Sequence, residues 1–76
     1  MKGTTFYVIE EKHNENGKVF SHAEKVHNSY NLVSYFKPCK DFSIISINAT
    51  TTYKEAREIA DFWNEGAKAH GNYYFL

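Results

Sequence analysis

The side chains here that could bind a metal or carry out catalysis are four histidines, His13, His22, His27 and His70, and a single cysteine, Cys39. A metal site needs several such ligands converging at a set spacing. His22 and His27 lie five residues apart, so on a regular strand they point to opposite faces and cannot share an ion. His13 and His22 can share a face across a hairpin, but the sequence offers no third ligand, and it has no C-x-x-C or H-x-x-x-H pair. The histidines therefore read as surface residues, and no metal or cofactor is expected.

Nucleophilic catalysis fares little better. In "KPCKD", Lys37 and Lys40 flank Cys39 and would favour a thiolate, yet no residue is marked as its base. The proline and the charges equally describe an exposed loop. Glu10 and Glu11 alternate faces, while Glu58, Asp61 and Glu65 fall on the solvated side of a predicted helix. The glycines, at positions 3, 17, 66 and 71, stand singly and form no phosphate-binding loop. A non-enzymatic protein is expected.

Composition narrows the partners. Nine basic residues balance nine acidic ones, so the chain has no long-range field to draw in nucleic acid or an anionic membrane. No stretch approaches the roughly 18 apolar residues of a membrane span. One cysteine precludes an internal disulfide, and "MKGTTFYVIEEKH" contains no sustained apolar run, which together suggest a cytoplasmic protein. Six phenylalanines, six tyrosines and one tryptophan in 76 residues supply an aromatic core for a single α+β domain, residues 1–76.

The elements that must position these residues follow from pattern. "TTFYVIEEK" is β-branched and aromatic and predicts a strand over residues 4–11, apolar on both faces and therefore inside the sheet. Asn16-Gly17 predicts a tight hairpin, followed by a strand over residues 18–26, with Glu11 opposite His22 and Tyr7 opposite Val26. Residues 28–41 read either as a short helix capped by Ser29 and ended by Pro38 or as an irregular crossing. "FSIISINA", residues 42–49, is a near-continuous apolar run that reads as a central strand.

The clearest element comes next. Thr52 and Glu55 make a capping box, Ala56, Ile59, Ala60, Trp63 and Ala67 recur at helical spacing, and Gly71 supplies the stop. Such a helix would be about 27 Å long at 1.5 Å per residue. Gly66 within it suggests close packing. "NYYFL" reads as a last strand. The expected fold is a four-stranded mixed sheet, ordered β-β-x-β-α-β, with one long amphipathic helix on one face.

Within the helix, Trp63 falls mid-stripe and is the expected core anchor. Phe62 lies at the boundary, where it either packs under a loop, near Tyr35 and Phe36, or joins a partner-binding patch. One helix covers one face of a sheet whose strands are apolar on both, so the second face needs residues 28–41, a second copy or another partner to cover it. Phe62, Tyr35, Phe36 and Tyr74 are the candidate partner-binding residues.

The start "FYVIEE", the hairpin "NGK" and the tail "ADFWNEGAKAHGNYYF", in particular Phe62-Trp63-Asn64 followed after a spacer by Gly71 and Tyr73, resemble a family of small proteins. These come from gut-dwelling Gram-positive anaerobic bacteria and are often encoded on mobile elements. The family has no assigned activity, so the resemblance implies a bacterial cytoplasmic accessory protein and supplies no catalytic residues. The function expected from the sequence is protein binding, self-association into a homodimer included. The alternative is single-stranded nucleic-acid binding through an aromatic sheet face, although no stretch matches the motif of sheet-type RNA binders.

Overall fold

A computed structural model describes residues 4–27 and 40–75. Among the described residues, three strands, β1 (Thr4–His13), β2 (Val19–His27) and β3 (Phe42–Thr50), are followed by one helix, α1 (Tyr53–His70). The strands form one antiparallel sheet in the order β2-β1-β3. The class is α+β, but the expectation of four strands in a mixed sheet is wrong. Residues 72–75 form no strand; Tyr73 makes a single parallel bridge to Val19. β3 is not central either. That place belongs to β1, whose apolar side chains on both faces are buried: Val8 and Ile9 are both 0% exposed.

The hairpin differs from its predicted register by two residues. Tyr7 pairs with Glu24 and Glu11 with Phe20. His13 donates its N–H to the Lys18 carbonyl, and the Gly17 N–H returns to the His13 carbonyl, so the loop is longer than the two-residue turn. Gly17 adopts φ 73°, which glycine reaches without steric cost. A shift by two keeps every side chain on its predicted face, because strand periodicity is two.

β3 carries a bulge. Its register against β1 slips between Glu10, opposite Ser46, and Glu11, opposite Ile44. The extra residue, Ile45, lets Ile44 and Ile47 share a face, which strict alternation forbids. Asn14 of the hairpin loop pins the entry to this strand: its N–H donates to the Asp41 carbonyl and its side chain to the Lys40 carbonyl.

α1 ends as expected and begins at the expected cap, but only the Thr52 half of the capping box forms. The Glu55 N–H donates to Thr52 Oγ1 at 3.1 Å, while the Glu55 carboxylate turns to Thr51, accepting from its hydroxyl at 3.0 Å. Gly71, at φ 78°, closes the last turn, with Asn72 N–H bonded to the Ala67 carbonyl. Ala56 and Ala60 form the core with Val8, and Phe6, Ala23, Ile59 and Trp63 pack around it. The helix lies chiefly over β2, then over β1, and reaches β3 least. That explains why the helix side of β3 carries Ser46, Asn48 and Thr50, where apolar groups would stand uncovered. Gly66 has no close neighbour. A Cβ there would meet nothing within 4 Å, so the expected tight packing is absent.

Candidate functional site

A three-stranded open sheet has two edges, each with a row of backbone groups that neighbouring strands leave unpaired. The two edges of this sheet are treated differently.

At the β2 edge, the chain folds back on itself. The Val19 N–H donates to the Asn72 carbonyl and the Tyr74 N–H to the Val19 carbonyl, both at 2.8 Å. Two residues on, the Asn64 carboxamide takes the place of a strand: its Oδ1 accepts from the Ser21 N–H at 2.7 Å and its Nδ2 donates to the Ser21 carbonyl at 2.9 Å. A primary amide presents a donor and an acceptor side by side, the same pair a backbone residue would offer. Nothing in sequence distinguishes an edge-bridging asparagine from a solvated one.

The β3 edge has no such cover among the described residues. Hydrogen bonds of Val19 and Ser21 point outward from β2, so the intervening residues bond to β1, and by alternation Phe6, Val8 and Glu10 bond to β3. Their partners are Thr50, Asn48 and Ser46. That leaves Ile47 and Ala49 with N–H and C=O groups facing away from the sheet. Ile45 is 48% and Ile47 37% exposed, and Asn48 and Ala49 are exposed as well. Residues 42–53 contain no charged residue and no proline or glycine, the usual means of blunting an edge. The one irregularity is the bulge at Ile45, after which residues 46–50 run straight.

The candidate residues named from sequence do not converge. Tyr35 and Phe36 lie outside the described residues, as does Cys39. Phe62 stands 74% exposed, which corrects the expectation that it packs beneath a loop. Two residues before Asn64 on the helix, Phe62 lies on the opposite flank of α1. With Trp63, Gly66, His70 and Glu10 it lines an open trough of about 520 Å³. Tyr74 is spent on an internal cluster at the hairpin end of the far face, where it stacks on His13 at 5.4 Å and meets Phe42 edge-on at 5.2 Å. Phe20 touches the same cluster, and Phe75 caps it, 63% exposed.

Beside this cluster, His22 sits between two carboxylates, with Nε2 2.6 Å from Glu11 and Nδ1 2.8 Å from Glu24. The predicted Glu11–His22 neighbours thus meet diagonally across the hairpin. Both ring nitrogens are engaged within the sheet, and none is left to face a substrate. Among the described residues no three acidic, histidine or cysteine side chains are placed to hold a metal ion, and no helix is long and apolar enough to cross a membrane. No family model, no curated protein and no solved structure matches the chain, so a functional reading rests on its geometry.

Proposed function

We propose that this is a small non-enzymatic binding domain that engages protein partners, itself among them, by strand addition at the β3 edge. The observation that carries the reading is the contrast between the two edges. One is blocked at Val19 and Ser21 by residues 72–74 and Asn64 and carries the exposed Lys25 beyond them, while the other is nine residues long, uncharged and exposed at Ile45, Ile47, Asn48 and Ala49. Strand addition draws affinity from main-chain hydrogen bonds and specificity from alternate side chains. An open edge therefore suffices without the deep pocket an enzyme would require. The lone cysteine continues to favour a cytoplasmic setting for this role.

The nucleic-acid alternative is the weaker of the two. It calls for lysines around exposed, stacked aromatics. Here the rings of the far face are turned on one another, and Glu11 and Glu24 stand beside them. Carboxylates at that position repel a phosphate backbone.

The test compares the wild-type chain with Ile47→Lys, which adds a charge at the edge, and with Glu58→Lys, which alters the exposed face of α1. Light scattering and pull-downs from the native host are expected to show association lost in the first variant and kept in the second. Association that survives Ile47→Lys would place the binding surface elsewhere.

A further inference from the structure

We infer that the occupant of the β3 edge is the β3 edge of a second copy, paired antiparallel about a two-fold axis at Asn48, so that two three-stranded sheets become one of six strands. This rests on the edge-binding reading and names its partner.

Three observations lead to it. The first is the absence of charge over residues 42–53. An edge shaped for a different chain would carry charges to choose its partner and fix its orientation. A strand placed beside its own copy needs none, and any single charge near the axis would face its like.

The second is that the straight part of the strand is complementary to itself. With the axis at Asn48, Ser46 faces the partner's Thr50, Ile47 the partner's Ala49, and Asn48 its own copy. Even-numbered residues lie on the helix side, shared with Val8, and odd-numbered ones on the far side, shared with Ile9. The register therefore sets hydroxyl against hydroxyl, amide against amide and apolar against apolar. Such same-face pairs are the unit of sheet stabilisation. It also joins the outward N–H and C=O of Ile47 to those of the partner's Ala49. An axis at Ile47 or Ala49 would leave part of residues 46–50 unpaired or push the pairing into the bulge at Ile45.

The third is the β2 edge, which is blocked over its first half. A two-fold contact closes at two copies, and growth would then need the outer edges. Asn64 and the bridge at Tyr73 occupy those edges at Ser21 and Val19, and the exposed Lys25 sets a charge on the remaining stretch, so the assembly is expected to stop at a dimer. The pairing is short, at the low end of interface size, so the dimer is expected to be in exchange with monomer.

Molar mass by light scattering, from about 10 µM to about 1 mM, should rise from 8.8 kDa toward twice that value. Asn48→Lys sets two like charges on the axis at a Cβ separation of about 5 Å and should weaken dimerisation at least about tenfold, while Asn48→Thr should retain it. In a Cys39→Ser background, Asn48→Cys should form an intermolecular disulfide under mild oxidation, because only an axial residue meets itself, and Ser43→Cys should not. A wild-type chain monomeric throughout this range overturns the proposal. If a host protein is then captured by wild type but not by Asn48→Lys, the edge reading stands with a different occupant. A dimer indifferent to Asn48→Lys overturns both.

Discussion

Asn64 joins three parts of the molecule through one side chain. It belongs to α1, bonds the edge of β2, and stands beside the tail that bridges Val19. Asn64→Asp removes the donor and points a second oxygen at the Ser21 carbonyl. The expected loss is about 1–3 kcal/mol of unfolding free energy in urea, the cost of an unsatisfied, partly buried polar group. A loss under about 0.5 kcal/mol would mean that water replaces the amide freely. Trp63 and Phe62 make the complementary comparison. Trp63 packs against the core of Val8, Ala56 and Ala60 but keeps some exposure, so Trp63→Ala should fall near the lower end of the roughly 3–5 kcal/mol seen for buried tryptophan. Phe62→Ala should cost less than about 0.5 kcal/mol, as an open position predicts. Equal losses in thermal denaturation would contradict this division of roles.

The elements differ in how plainly the sequence announces them. α1 is legible from end to end because its signals are local: Thr52 and Glu55 three apart, an apolar stripe, and Gly71 at a left-handed stop. Gly66 is the exception. It sits in ordinary helical conformation with open space at its missing Cβ, so its presence weakens the helix without packing gain. Gly66→Ala should stabilise the domain by about 0.5–1 kcal/mol. At roughly 4–8 °C per kcal/mol, that raises Tm by about 2–8 °C in a melting curve. A drop would reveal a role for the trough beside Phe62. The strands are legible as strands, but not in their arrangement. "NG" signals a turn without fixing its length, so the hairpin register slips by two while its faces hold. The bulge at Ile45 depends on where Glu10 and Glu11 fall across the sheet, which no local pattern encodes. Most consequential, "FSIISINA" reads as a buried central strand because apolar runs usually are buried. Its true place at the edge follows from strand order, a property of the whole chain.

At the scale of the molecule, the helix is set off-centre, over β2 and β1, and this offset organises the rest. It brings Asn64 over one edge, swings residues 72–74 alongside it, and leaves β3 with polar side chains above and Ile47 and Ala49 below. What the sequence could not convey is this asymmetry, since each strand on its own looks equally capable of pairing outward. The candidate residues suffer for the same reason. Tyr74 looked available and is consumed by His13, Phe20 and Phe42, whereas Asn48 and Ala49, unremarkable in sequence, stand at the open margin.

The uncharged β3 also governs what happens when the fold is lost. A segment of six or seven residues with strong β preference, no charge and no proline is the composition from which steric zippers are built, and "SIISINA", residues 43–49, meets that description. In the native state β1 engages one side of it and the bulge interrupts its start. In the denatured chain neither restraint exists, and parallel stacking of identical copies, unlike a two-fold contact, has no limit. Heating a concentrated solution should therefore end in fibrils with the ~4.7 Å cross-β spacing, and cooling should not recover the starting circular dichroism. Ile45→Lys, which places a charge at the exposed bulge residue, should restore reversibility with little effect on the native fold.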